Sequence, residues 1–194
     1  MKAPPMPPVS RQMRARTREH GFSMLEVMVA VLILSFGLLG LAGLQALSLK
    51  SNVSAAQRSI ATQLAYDMAD RMRANQASVL SGDYNYAQYS GTGVAGTNTT
   101  ACLSVSGCTS TQLAQEDVYE WNQQICLQLP QSTACNTTGP WGVVCLDSTP
   151  NDGTPASPAC DGVAGASWVA KVWWIDDRND PTLPLKRWVT TFTP

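Results

Sequence analysis

Six cysteines, Cys102, Cys108, Cys126, Cys135, Cys145 and Cys160, are the side chains best placed by type and spacing for covalent chemistry. No two of them have the Cys-x-x-Cys spacing of thiol redox centres or zinc ribbons. The chain holds a single histidine, His20, far from all of them, so no imidazole is at hand to complete a metal site. Disulfides are the expected chemistry provided that the cysteines lie outside the cytoplasm. Six cysteines leave the connectivity open, and the spacing makes nearest-neighbour pairing the expectation: Cys102–Cys108, Cys126–Cys135 and Cys145–Cys160. Closing loops of this size stabilises by roughly 2–3 kcal/mol each in the chain-entropy model. No metal and no cofactor is expected.

The other chemically unusual group is a carboxylate. From Phe22 to Leu49 the only formally charged side chain is Glu26, and from Val27 to Leu49 there is neither charge nor proline. A carboxylate inside an apolar helix is expensive and usually functional. At about 1.5 Å of rise per residue the run is long enough, as a helix, to cross a bilayer core. Lys2, Arg11, Arg14, Arg16 and Arg18 precede it and should hold the N-terminus in the cytoplasm. Everything after the run is then exported, which is the condition the disulfides need.

The hexapeptide Gly21-Phe22-Ser23-Met24-Leu25-Glu26 ends a basic leader in Gly, follows it with Phe, and sets Glu at the fifth position of the apolar helix. In this it resembles the type III signal of type IV prepilins and type II secretion pseudopilins. An ordinary secretory signal is cut after its apolar segment, and that segment carries no carboxylate. The resemblance implies cleavage between Gly21 and Phe22 by the inner-membrane prepilin peptidase, then N-methylation of Phe22. It also implies an assembly role for Glu26, paired with the N-terminal ammonium of a neighbouring subunit. Cleavage would create that ammonium, and an unpaired charge in apolar surroundings costs several kcal/mol, so the pair can act as a register check. The plainer alternatives are a simple single-pass anchor and a Glu26 that merely sits near the headgroups.

Loss of residues 1–21 would remove five of the 13 Lys and Arg and leave 8 basic against 13 acidic residues. A mature net charge of about −5 argues against a nucleic-acid surface. His20 goes with the leader, and a chain without histidine runs neither a Ser-His-Asp nor a Cys-His mechanism. No enzymatic activity is expected.

The elements that must carry these residues follow in order. Residues 1–21 form a Pro-rich basic leader with no fold of its own. Residues 22–49 are the transmembrane and assembly segment, and residues 50–194 a periplasmic head that includes the amphipathic continuation at 50–76. One helix is predicted from about Ser23 to Asn75, because Val53, Ala56, Ile60, Leu64, Met68 and Met72 recur at steps of three and four. Gly37, Gly40 and Gly43 lower its local stability by about 1 kcal/mol each relative to Ala. They permit either close helix packing or local extension in a filament. Residues 78–101 read as a loop in which Tyr84, Tyr86 and Tyr89 form a contact surface or a short edge strand. The sequons at Asn98 and Asn136 read as chance. Thr109-Ser110-Thr111-Gln112 matches a capping box, opening a helix with Leu113, Val118, Trp121, Ile125 and Leu129 on one face and Pro130 after its end. Strands are predicted at Trp141–Asp147, Trp168–Ile175 and Leu185–Phe192. Trp168, Trp173, Trp174 and Trp188 are read as core or sheet-face residues. The turn with Asp176, Asp177, Asn179 and Asp180 is read as solvated, with calcium binding as the alternative, although it lacks the Gly and distal Glu of an EF-hand loop.

Three further stretches resemble the PilV branch of minor pilins. They are Cys102-x5-Cys108-Thr109 running to Asp117 and Trp121; Gly142-Val143-Val144-Cys145 with Asn151-Asp152-Gly153-Thr154 and Cys160-Asp161-Gly162; and Trp173-Trp174 with Asp176-Asp177-Arg178 and Arg187-Trp188-Val189-Thr190. The expected fold is α+β, a pilin fold whose long N-terminal helix packs on a small antiparallel sheet stapled by disulfides. The implied function is that of a minor pilin. It would join other minor pilins in an inner-membrane priming complex, start polymerisation of the major pilin, and sit at the pilus tip. There it would support a tip adhesin, twitching motility and attachment. The alternatives are a minor pseudopilin of a type II secretion system and a membrane-anchored binding module that never polymerises.

Overall fold

A computed structural model describes residues 21–85, 98–131, 141–177, 180 and 182–194. The chain divides into two compact units, residues 1–48 and 49–194. The first is helical from Met24 onward, and each of its described residues is exposed. Together the units carry a long N-terminal apolar helix and a small antiparallel sheet, the elements of a pilin fold.

Helix α1 spans Met24–Ala74 without a break. Within the second unit its buried stripe runs Gln57, Ala61, Leu64, Ala65, Met68, Ala69 and Met72, at the helical steps of three and four. The methionine stripe is therefore core. Val53 and Ala56, expected at its start, are exposed instead, and burial begins only at Gln57. At Asn75 the backbone leaves the helical region (φ −119°, ψ 57°), and a short helix α2, Gln76–Ser81, follows. Gly82 closes α2 at φ 82°, where its N–H bonds back to Ser78 and Val79 carbonyls, a left-handed cap that glycine adopts without strain.

Helix α3, Ser110–Gln128, starts at the capping box read from sequence. The Thr109 hydroxyl accepts from the Gln112 N–H, and the Gln112 side chain accepts from the Thr109 N–H. Its buried face is Ala114, Val118, Trp121 and Ile125, with Leu129 just beyond. Leu113, expected on that face, is 39% exposed. Stepping about 100° per residue from Trp121 puts Leu113 at the edge of the stripe and Ala114 and Asp117 inside it.

Three strands, β1 (Gly142–Asp147), β2 (Ser167–Trp174) and β3 (Lys186–Phe192), form an antiparallel sheet in the order β1-β2-β3. Gly142 pairs with Val172 and Asp147 with Ser167 across β1–β2, and Trp168 pairs with Phe192 across β2–β3. The face carrying Gly142, Val144, Ala170 and Val172 meets α3. Asn122 fixes that contact by donating to the Gly142 carbonyl at 3.0 Å and accepting from the Gly142 N–H at 2.9 Å. The Trp121 indole donates to the Leu64 carbonyl at 2.7 Å, tying α3 to α1 in the middle of the core. Trp173 and Trp174 are buried, while Trp168 and Trp188 are partly buried and packed against the core.

Helix and strand approach so closely at Gly142 that no side chain fits. A Cβ there would lie 2.6 Å from Trp121 Cζ3 and closer still to Ile125 Cδ1. Gly142→Ala should therefore destabilise the second unit by about 1–3 kcal/mol through overpacking. Urea denaturation should show a lower midpoint at unchanged slope; an unchanged midpoint would mean that the two elements are not held this tightly.

Candidate functional site

The residues expected to act in processing and assembly lie together at the start of α1. Gly21 and Phe22 precede the helix, and Phe22 is 84% exposed. Ser23 opens the helix: its carbonyl accepts from the N–H of Glu26 at 3.0 Å and of Val27 at 3.3 Å, and its hydroxyl from the Leu25 N–H at 3.3 Å. Glu26 thus sits in the first turn, where the partial positive charge of the helix end favours a carboxylate. The helix continues with large apolar side chains exposed on every side, from Met24 to Leu49. A helix apolar all round needs lipid or other helices about it. Among the described residues α1 is the one helix long and apolar enough to cross a membrane.

In the second unit two disulfides are described. Cys102–Cys108 has a Cα separation of 4.7 Å and Cys145–Cys160 one of 6.0 Å, both within the usual range. Cys126 is also disulfide-bonded, and the expected partner Cys135 lies outside the described residues. Tyr86 and Tyr89 lie outside them too. Tyr84 does not belong to an exposed contact surface. It is fully buried, its hydroxyl donates to Asp117 Oδ2 at 2.5 Å, and the Asn75 amide donates to it at 3.2 Å. Its ring fills core space that the polar loop sequence around it does not announce.

Two charged clusters join residues that lie far apart in the sequence. In the first, Arg71 on α1 reaches Asp67 at 3.0 Å, Asp117 at 3.1 Å and Glu120 at 2.9 Å. Burial works against the Arg71 charge, but the bonds to Glu120 and Asp67 and the charge of Asp117 outweigh it and raise its pKa further. Burial, then the bond to Asp117, also pushes the Tyr84 phenol above its usual range. In the second, Lys171 lies in the middle of β2 with no exposure, its Nζ 2.5 Å from Asp147 Oδ2 and 2.9 Å from Asp152 Oδ1. The carbonyls of Pro158 and Asp152 accept from it at 2.8 and 3.3 Å. Arg187 donates to the carbonyls of Gly153, at 3.0 Å, and Asn151. The segment closed by Cys145–Cys160 is thereby wrapped over the sheet face opposite α3, its carbonyls turned onto two cations. A lysine amid Trp168-Val169-Ala170 and Val172-Trp173-Trp174 was the available sequence signal, since an isolated cation within an apolar strand needs a buried partner.

Carboxylates around this segment give it an acid limit. The Lys171 bond, then Thr149, holds Asp152 below the ordinary carboxylate range, and the Ser148 bond with the Val163 N–H does the same for Asp161. Because the folded values lie below the unfolded ones, their stabilisation is full above the unfolded pKa and is lost as pH falls through the folded values. The thermal midpoint should stay level from about pH 7 to 5 and drop below about pH 4. Asp161→Asn should lower the midpoint at neutral pH and flatten the acid drop; an unchanged acid limb would assign it to other groups.

In the acidic turn, Asp176 faces Lys186 at 3.4 Å, and the Asp180 carboxylate accepts from the Thr182 N–H at 3.1 Å. Asn179 lies outside the described residues. No group of three or more His, Cys, Asp or Glu among the described residues is arranged to hold a metal ion.

Comparison with known families adds two matches. Residues 16–42 match the prokaryotic N-terminal methylation motif, a span that contains Gly21, Phe22 and Glu26. Residues 43–119 match the family of type IV pilin Tt1218, a span from mid-α1 to the middle of α3 that includes Cys102–Cys108. Neither the curated proteins nor the solved structures hold a match to the chain.

Proposed function

We propose that this chain, a type IV pilin with a prepilin leader motif, is a minor pilin of the PilV kind. The observation that carries the pilin part of this reading is the continuity of the two matches, a methylation signal over residues 16–42 leading directly into pilin sequence over 43–119; the PilV assignment rests on the resemblance of the three stretches. The prepilin peptidase cuts after Gly21 and Phe22 is methylated. Residues 22–49 anchor the mature chain in the inner membrane, with residues 50–194 in the periplasm. Joined with other minor pilins, the chain primes assembly of the major pilin and ends at the pilus tip, where it supports a tip adhesin, attachment and twitching. Pilins are structural proteins.

Support for the assembly role of Glu26 is chemical. Cleavage frees an ammonium at Phe22, and a carboxylate four residues on, among side chains bound for lipid or neighbouring helices, needs a cation to offset its desolvation. The three stretches that resemble the PilV branch support the finer assignment, and the described residues of all three carry structure. They hold the α3 cap, the segment over Lys171, and the strand pair β2–β3.

The test is deletion of the gene with complementation by the parent or by Glu26→Ala, scored for surface pili, twitching and the presence of the chain in sheared pili. Deletion should abolish or sharply reduce pili, and Glu26→Ala should restore them at least ~10-fold less well. Normal piliation after deletion with a loss of protein export would transfer the chain to a secretion system. Recovery of Glu26→Ala in pili at the parental level would remove Glu26 from assembly.

A further inference from the structure

We propose that Lys171 and Asp147 become joined by an intramolecular amide between Nζ and Cγ, formed without an added enzyme, with Asp152 carrying the protons. The two side chains have no exposure, and Nζ lies 2.5 Å from Asp147 Oδ2. Yet Oδ2 is a buried oxygen with no hydrogen-bond donor. The nitrogen therefore touches the carboxyl group without a formed hydrogen bond to Oδ2, and from there it lies at most one C–O bond length farther from Cγ, within reach of attack once it has lost a proton.

The rest of the site divides the labour between the carboxyl oxygens. Asp147 Oδ1 accepts from the Thr149 N–H at 2.9 Å, with the Thr149 hydroxyl at 3.4 Å. The Thr149 N–H holds Oδ1 as a carbonyl oxygen and polarises Cγ, which leaves Oδ2 to depart. Asp152 Oδ1 lies 2.9 Å from Nζ, while its Oδ2 accepts from the Thr149 hydroxyl at 2.8 Å. Its side chain is 44% exposed, so it can exchange protons with both the buried nitrogen and solvent.

The step balances as a condensation. Asp152 takes two protons in turn from the Lys171 ammonium and passes them to Asp147 Oδ2. Nζ attacks Cγ, the N–C bond forms, the Cγ–Oδ2 bond breaks, and Oδ2 leaves as water. An ammonium and a carboxylate become one amide and one water; nothing is oxidised or reduced, and Asp152 returns to its starting state. Two things favour it. The reacting groups are already held in contact, which removes most of the entropic barrier. Burial also disfavours both charges, and a neutral amide removes them, its remaining N–H still facing the Pro158 carbonyl 2.8 Å from Nζ. The product ties the end of β1 to the centre of β2, beneath the segment that Cys145–Cys160 closes.

The test is peptide mapping of the full-length protein extracted from membranes, denatured and with its disulfides reduced. The sequence has no Lys or Arg between Arg73 and Lys171. An amide at Lys171 blocks trypsin there, so the expected product is one fragment, Ala74–Arg178, lighter than its sequence by the mass of one water. Separate Ala74–Lys171 and Val172–Arg178 fragments at their full masses overturn the proposal. Asp152→Asn should cut the cross-linked fraction at least ~10-fold; a parental yield in that variant overturns the proton-carrying role of Asp152.

Discussion

Trp121→Ala should destabilise the head by about 3–5 kcal/mol, a large fraction of the whole stability of a domain of this size. The indole is fully buried between α1 and β1, with its ring against the missing side chain of Gly142 and its N–H on the Leu64 carbonyl at 2.7 Å. Truncation leaves a cavity where α3 and β1 approach closely at Gly142. It also strips a donor from a carbonyl that the helix had turned toward it. Circular dichroism of the detergent-solubilised chain during chemical denaturation measures the loss. Trp121→Phe separates the two contributions: it keeps most of the ring and should recover more than half of the stability. A loss below about 1 kcal/mol for the alanine variant would mean that the core is not organised on this ring.

Asp147→Ala should have an effect of the same size, about 3–5 kcal/mol, for a different reason. Lys171 has no exposure, and without Asp147 its nitrogen keeps only Asp152 and two carbonyls, with a half-exposed carboxylate in place of a buried one. The segment from Asn151 to Cys160 then loses the anchor around which its carbonyls converge, and the Thr149 N–H loses its acceptor. Replacing both partners, Lys171→Met with Asp147→Leu, should restore part of the loss, because an apolar pair leaves no unpaired buried charge. It cannot restore all of it, since the carbonyls of Asp152 and Pro158 then lack their donor. Equal stability of the single and double variants would show that charge burial is not what makes this site costly to break.

Most of the fold was legible because its signals are local. The long helix followed from an uninterrupted apolar period, the α3 start from Thr109 and Gln112, and the three strands from runs of β-branched and aromatic residues between turns. Each of these was placed to within one residue at either end. The N-terminal signal was equally legible, since Gly21, Phe22 and Glu26 are neighbours in sequence.

What sequence did not show depends on contacts between distant segments. Tyr84 stands in a polar loop, yet it is buried because Asp117, thirty-three residues on, turns inward to receive its hydroxyl. Asp117 itself lies on the apolar stripe of α3, a place where a carboxylate is tolerated only because Arg71 and Tyr84 reach it. Leu113 suits that stripe by its hydrophobicity, but its angle puts it at the edge. Lys171 is the sharpest instance. Its strand pairing follows from the run around it, but the carbonyls and carboxylates that surround its nitrogen come from a loop whose path only the folded chain defines.

Entry of this chain into the pilin pathway is tested most directly by intact mass. The protein is extracted from membranes of its native host with and without the prepilin peptidase. A species beginning at methylated Phe22, present only when the peptidase is present, is the predicted result. A chain that keeps residues 1–21 in both strains would contradict it and leave a membrane-anchored domain that never joins a filament.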